Sequence, residues 1–148
     1  MRAAIGSDHA GWRLKEELKK WMSTNKVDFK DFGCYNEEPC DYPDYTAKVC
    51  EAVLSGGFER GVLVCGTGIG MAIAANKVRG IYAALVDNTL AAERARTHND
   101  TNVLVLPGGM IGPVMASEIL KVWLNTAFAG GRHEKRIKKI KEIENKLF

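Results

Sequence analysis

The sequence has few of the features that mark secreted, membrane-spanning or metal-binding proteins. Its 148 residues contain only three histidines and no apolar run near the roughly 20 residues that cross a bilayer. The first residues form a strand-like run in place of the basic region, apolar core and cleavage site of a signal peptide. The four cysteines, Cys34, Cys40, Cys50 and Cys65, form no CxxC pair and have no histidine at zinc spacing. These absences predict a cytosolic protein with reduced thiols, no membrane segment and no bound metal.

The net charge of +3 is concentrated at the carboxyl end. Residues 132–148 contain seven Lys or Arg and three Asp or Glu, which leaves 14 basic and 15 acidic residues for the rest of the chain. A basic segment attracts anions. A nucleic acid is not the expected partner, because no aromatic residues are interleaved with the basic ones. A small phosphorylated ligand explains the distribution at least as well.

Short apolar runs alternate along the chain with segments of helical periodicity. This alternation is typical of a parallel sheet with helices on both faces. It predicts a single α/β domain over residues 1–148, with five strands in the order 2-1-3-4-5. The predicted strands are residues 2–5, 27–32, 61–64, 81–86 and 103–106, and the predicted helices are residues 12–22, 43–55, 71–77, 89–96, 112–127 and 132–147.

The strongest chemical signal is the glycine loop, residues 65–70 (Cys-Gly-Thr-Gly-Ile-Gly), between the third strand and a helix. Its three glycines let backbone N–H groups approach an anion closely. The loop lacks the register of a dinucleotide-binding motif, the Lys-Ser/Thr pair of a nucleotide loop, and the arginine of a cysteine phosphatase, whose place is taken by Met71. A thiol beside an oxyanion-binding loop suits proton abstraction next to a carbonyl, and we expect the helix N-terminus to lower the pKa of Cys65. The alternative is a small buried residue before a tight turn.

A second polar segment, residues 6–11, follows the first strand. Asp8 can accept hydrogen bonds from sugar hydroxyls, and His9 can donate one to a hydroxyl or a phosphate. The alternative is that Ser7 or Asp8 caps the following helix, and capping is compatible with ligand binding.

Two further segments carry histidine or arginine near the end of the chain. His98 lies between a helix and the fifth strand, and histidine is a side chain that can move a proton to or from a ring oxygen. Arg132 and Arg136 are four residues apart, which places both guanidinium groups on one helix face, able to grip a phosphate. The alternatives are a surface histidine without a function and a solvated basic helix.

In order along the chain, these segments resemble the ribose-5-phosphate isomerase B family, which includes the galactose-6-phosphate isomerase subunits. The resemblance covers nearly the whole chain. The residues that carry it are 6–9 (GSDH), 41–43 (DYP), 65–70 (CGTGIG), 74–77 (AANK), 98–102 (HNDTN) and 130–133 (GGRH).

The resemblance implies a Rossmann-like three-layer sandwich whose C-terminal helix extends to a partner subunit. It also implies a homodimer, or a dimer of dimers, with the site at the interface and with no metal or cofactor. The implied reaction interconverts D-ribose 5-phosphate and D-ribulose 5-phosphate by ring opening and proton transfer through a cis-enediol.

The resemblance also assigns roles to individual residues. Cys65 matches the base that moves a proton between C2 and C1, and His98 matches the acid–base group that opens the furanose ring. Thr67 is placed to hydrogen bond near the developing oxyanion. The other matched positions contact or line the substrate: Asp8, His9, Tyr42, Gly66, Gly68, Ile69, Gly70, Asn99, Arg132 and Arg136.

Two single positions and one short segment depart from the family pattern. Ala72 replaces a serine of some members, and residues 107–110 are less typical, with no consequence that the sequence reveals. One branch uses a glutamate at the position of Met71 and lacks the cysteine, so the presence of Cys65 supports its role as the base. An isomerase of a six-carbon sugar phosphate (allose or galactose 6-phosphate) and a non-catalytic sugar-phosphate-binding subunit remain as alternatives.

Overall fold

The computed structural model describes residues 1–146, in which strands and helices alternate as predicted. The third helix begins two residues earlier than expected, and the fourth strand is shorter than expected. The last predicted helix ends at Leu147, which lies outside the described residues. The elements are β1 (Arg2–Ser7), α1 (Trp12–Thr24), β2 (Asp28–Asp31), α2 (Tyr42–Leu54), β3 (Arg60–Cys65), α3 (Ile69–Asn76), β4 (Ala83–Leu85), α4 (Thr89–Thr97), β5 (Val103–Pro107), α5 (Pro113–Asn125) and α6 (Arg132–Glu144).

The five strands form one parallel sheet in the order β2-β1-β3-β5-β4. The α/β class is confirmed, but the last two strands are exchanged relative to the expected order 2-1-3-4-5. The reason is burial. All five residues of β5 are buried, whereas β4 has three half-buried or exposed residues and forms the edge. The Asn76 side chain forms two hydrogen bonds of 2.9 Å with the backbone of Ala83, one to the carbonyl and one from the N–H. These two backbone groups of the edge strand are therefore paired.

Helices cover both faces of the sheet, which confirms the three-layer sandwich. One buried cluster packs α1, α4 and α5 against the sheet and includes Leu18, Ile119 and Trp123. The other packs α2 and α3 on the opposite face and includes Val49 and Met71. No helix of the described chain, residues 1–146, is long and apolar enough to cross a membrane.

The strand order determines where ligand-binding loops meet. Ser7 of β1 pairs with Val64 of β3, and Cys65 of β3 pairs with Pro107 of β5. The loops that follow these strands therefore lie side by side at the carboxyl edge of the sheet. This is the edge at which open α/β sheets bind their ligands.

Candidate active site

Cys65 is the last residue of β3, and its side chain is only 4% exposed. Its Sγ accepts a hydrogen bond of 3.1 Å from the Gly68 N–H, and the backbone N–H groups of Thr67 and Met71 also stabilise the thiolate. Gly68 adopts φ +78°, a conformation that favours glycine. The glycine loop thus wraps its amides around the sulfur at the start of α3.

The pKa of Cys65 is nevertheless raised, not lowered, so our expectation from the helix N-terminus is wrong for the free protein. Burial is the largest cause, because it disfavours the charged thiolate. The negative charge of Asp8 acts in the same direction, and the three amides offset these effects only in part. The resting thiol is therefore protonated at neutral pH.

The loop after β5 braces the glycine loop. The Gly108 N–H donates to the Cys65 carbonyl over 2.7 Å, and the Gly109 N–H donates to the Gly66 carbonyl over 2.8 Å. A Cβ at Gly109 would lie 3.0 Å from the Gly66 oxygen, and one at Gly108 would lie 3.0 Å from a methyl group of Val64. Residues 107–110, which had no assigned role in the sequence, therefore hold the backbone of Cys65 and of the residue after it.

Asp8 lies beside Cys65 and is buried. Its backbone N–H donates to the Val64 carbonyl over 3.2 Å, and its Oδ1 accepts a hydrogen bond of 2.8 Å from the Gly11 N–H. A Cβ at Gly11 would collide with the Val64 carbonyl, so the approach of the two loops requires glycine there. Asp8 therefore organises the turn before α1 while its carboxylate stays next to the thiol.

His9 and Tyr42 complete this side of the site. The Cys40 N–H donates to His9 Nδ1 over 3.2 Å. Because Nδ1 accepts this bond, the neutral ring carries its proton on Nε2, which can donate to a hydroxyl or a phosphate oxygen. The Tyr42 ring lies against the glycine loop, since a Cβ at Gly70 would lie 2.6 Å from its Cζ.

The predicted residues His98, Arg132 and Arg136 lie in a separate group, the basic cluster, which also contains Arg94 and His133. The rings of His98 and His133 stack with their centroids 4.2 Å apart, and Arg94 Nη1 lies 3.3 Å from His98 Nε2. Burial lowers the pKa of His133, and the charges of His98 and the three arginines lower it further. A group of this kind is suited to bind an anion.

The thiol lies at the carboxyl ends of the parallel strands, whereas the basic cluster lies near their amino ends. His98 precedes β5, whose first residue, Val103, pairs with Gly61, whereas Cys65 pairs with the last residue, Pro107. Strand residues rise about 3.3 Å each, so the amino and carboxyl ends of these paired strands are about 13 Å apart. One chain therefore brings together Cys65, the glycine loop, Asp8, His9 and Tyr42 at the carboxyl ends of the strands. The exposed Asn99 lies next to His98, on the side of the basic cluster.

The family described as Ribose/Galactose Isomerase matches residues 3–140. The chain belongs to this family.

Solved structures in the ribose/galactose isomerase family share the fold over nearly the whole chain. The chain is 50% identical to a ribose 5-phosphate isomerase of Thermotoga maritima, with a TM-score of 0.94 over 95% of this chain and 97% of that one. It is 46% identical to ribose-5-phosphate isomerase B of Clostridium thermocellum, with a TM-score of 0.95 over 97% of both chains. A ribose-5-P isomerase B of Listeria innocua is 40% identical over 99% of each sequence.

In this member of the ribose/galactose isomerase family, the described residues 1–146 include no group of three or more His, Cys, Asp or Glu side chains arranged to hold a metal ion. The groups around Cys65 offer acid–base chemistry, with a thiol, the imidazole of His9 and backbone amides, and the basic cluster offers two further imidazoles. Sequence reasoning missed His133 and the brace formed by Gly108 and Gly109. The signal for His133 was its place beside Arg132, but its stacking on His98 is a tertiary contact.

Proposed function

We propose that this chain is an aldose–ketose isomerase that interconverts D-ribose 5-phosphate and D-ribulose 5-phosphate. The observation that carries the proposal is the buried thiol of Cys65, surrounded by backbone amides at the carboxyl edge of the sheet. The pentose as substrate is supported by the names of the relatives. Four free cysteines support the cytosol as the location.

The reaction requires a base and an oxyanion site, and it involves no net oxidation. In the open-chain aldose, the thiolate of Cys65 removes the proton from C2, and the electron pair forms the C1–C2 double bond of an enediolate. The amides of the glycine loop that do not bond the sulfur stabilise the negative oxygen, with the Thr67 hydroxyl as a further donor. The thiol then returns its proton to C1, a hydroxyl proton moves from O2 to O1, and the ketose is released.

Ring opening needs a second acid–base group, and His98 is our candidate. The ring oxygen, C1 and C2 lie within a few bonds of one another, so the thiol and the imidazole must contact the same small set of atoms. Within one chain the two groups belong to opposite ends of the strands, about 13 Å apart, so they cannot contact the same few atoms. We therefore infer a homodimer in which Cys65 of one copy works with the partner subunit's His98, as the two-fold symmetry of such dimers permits.

An apolar surface near the glycine loop supports the dimer. Ile69 and Ile73, one turn apart on α3, are 55% and 58% exposed, and Leu85 of β4, which is 41% exposed, lies against Gly68 of the loop. Exposed apolar side chains grouped in this way are typical of surfaces that a partner covers. A second copy on this surface would bring its own basic cluster, with Arg132 and Arg136, toward the phosphate that His9 contacts.

The test is the conversion of ribose 5-phosphate by the purified protein, with EDTA present and allose 6-phosphate in a parallel reaction. We expect turnover of the pentose, unchanged by EDTA and much slower for the hexose. Preference for the hexose would replace the substrate and keep the mechanism. No turnover of either sugar by folded dimer would contradict the proposal and favour a binding role.

Replacing Arg136 with alanine is expected to raise KM for ribose 5-phosphate about tenfold or more, with kcat little changed. A charge-assisted hydrogen bond to the phosphate is worth about as much, and it contributes equally to the ground and transition states. Steady-state kinetics measure the split. Lys138→Ala is the matched control, since Lys138 lies on another face of α6 and is exposed. A fall in kcat alone would contradict the phosphate role.

The raised pKa of Cys65 predicts that kcat/KM keeps rising with pH up to and beyond the ordinary thiol range. The base is the thiolate, and a raised pKa means that the thiolate appears only at higher pH.

Asp8→Asn removes the charge that helps to raise the pKa of Cys65, so we expect the Cys65 thiolate of this variant to appear at lower pH. Ultraviolet titration of the thiolate, with Cys65→Ala as the blank, measures this without substrate. A pKa that does not change in Asp8→Asn would disprove the coupling.

A further inference from the structure

A buried lysine on α1 has no part in the site described above. The Lys15 side chain is 0% exposed and lies on the helix face that also buries Leu14, Leu18 and Met22. Its Nζ donates to both carboxylate oxygens of Asp31, over 2.7 and 2.8 Å, and to the backbone carbonyl of Cys34. A lysine ammonium has three donors, and here all three are used.

These bonds hold the segment of residues 31–40, which runs from the end of β2 toward α2. Asp31 Oδ1 also accepts the Gly33 N–H over 2.9 Å, so the same carboxylate fixes the start of the segment. Next to it, the Ser7 N–H donates to the Gly33 carbonyl over 2.6 Å, and the Cys34 N–H donates to the Ser7 carbonyl over 2.7 Å. The segment is thus joined to the last residue of β1, directly before Asp8 and His9.

The far end of the segment reaches the site itself. The Cys40 N–H donates to His9 Nδ1 over 3.2 Å, and the Cys40 Sγ lies 3.8 Å from the same nitrogen. Residues 35–39 between the two ends are exposed. The ammonium of Lys15 therefore fixes the buried end of a segment whose other end sets the orientation and tautomer of His9.

We propose that Lys15 is a positioning residue for phosphate binding: by fixing residues 31–40, it holds the Cys40 amide against His9 and keeps the His9 Nε2–H directed at the substrate's phosphate. The proposal rests on the proposed function, because it takes His9 as a phosphate contact. Lys15 itself is buried and touches no substrate.

A merely structural lysine would behave differently. Stability alone does not require a buried ion pair, because well-packed apolar side chains in place of both partners are often tolerated. Lys19 separates the two cases. Its Nζ bonds Asp31 Oδ2 over 2.8 Å and also Glu16, but it is partly exposed, and the bond to the Cys34 carbonyl comes from Lys15 and not from Lys19.

The experiment compares Lys15→Met with the matched control Lys19→Met and with His9→Asn, all in the full chain. The readouts are the inhibition constant of inorganic phosphate, the KM and kcat for ribose 5-phosphate, and the hydrogen-exchange rate of the Cys40 amide by NMR. For Lys15→Met we expect a rise of about tenfold in the inhibition constant and in KM, the equivalent of one charge-assisted hydrogen bond. We also expect little change in kcat and faster exchange of the Cys40 amide. Lys19→Met should leave all four values near those of the wild type.

The outcomes separate this proposal from the proposed function. If His9→Asn weakens phosphate binding and Lys15→Met does not, Lys15 is only structural and the proposal is overturned alone. If His9→Asn leaves phosphate binding unchanged, the phosphate role of His9 is wrong and the proposal falls with it. Should Lys15→Met fail to fold, Asp31→Asn removes the partner charge with little change in shape. It must then raise the same two constants, and unchanged constants would overturn the proposal.

Discussion

Replacing Cys65 with alanine is expected to lower kcat for ribose 5-phosphate by a factor of about 10²–10⁴, the usual contribution of a positioned general base. Substrate binding should survive, because the glycine loop, Asp8 and His9 remain in place. In deuterated water, the wild-type reaction should place solvent deuterium on the carbon that receives the proton, since the thiol exchanges its proton with solvent. Cys65→Ala should lose this incorporation together with turnover.

Cys50 provides the matched control. It is also a buried cysteine, it lies on α2, and burial raises the pKa of its thiol to about 11. Cys50→Ala therefore removes the same atoms from the interior without touching the site, and we expect nearly full activity. Retained turnover in Cys65→Ala, or an equal loss in both variants, would show that Cys65 is not the base.

The fold was largely predictable because its signals are local. Alternating apolar runs and helical periods indicated the parallel sheet, and the run of glycines after a buried strand indicated the loop around Cys65. The exchange of β4 and β5 was not predictable in the same way. Both strands are apolar in sequence, and only the burial of all five β5 residues against partial exposure of β4 shows which one lies inside.

The errors at the site have a common physical origin. The pKa of Cys65 was expected to fall because the helix start is visible in the sequence, but the opposing causes are tertiary, namely burial and the charge of Asp8. Nothing in the predicted helix 12–22 distinguishes Lys15 from its other lysines, because its acceptors, Asp31 and the Cys34 carbonyl, are distant in sequence. Patterns within one segment report the conformation of that segment, not the groups that pack against it.

The separation of Cys65 and His98 is a different case, because it can be derived from the order of strands and helices along the chain. Cys65 is the last residue of its strand and His98 precedes the next strand in the sheet, so the parallel arrangement places them at opposite ends of the strands. Once the elements are correct, this topology alone argues that a complete site needs two chains. The family resemblance assigned both residues to one site without saying which chain supplies each.

A mixture of the two inactive variants Cys65→Ala and His98→Asn is therefore expected to regain about a quarter of the wild-type activity. Random pairing makes half of the dimers mixed, and each mixed dimer has one site with both native groups. Subunit exchange followed by the isomerase assay measures the recovery, and differently tagged chains allow the mixed dimer itself to be purified.

The double variant Cys65→Ala/His98→Asn, paired with the wild-type chain, gives the opposite result under the same hypothesis. If each site takes Cys65 and His98 from different chains, both sites of this dimer carry one defect, and the purified dimer should be inactive. If one chain supplied both groups, this dimer would keep one intact site, whereas the dimer of the two single variants would have none. The pair of measurements thus assigns His98 to the same chain as Cys65 or to its partner, whichever way the result falls.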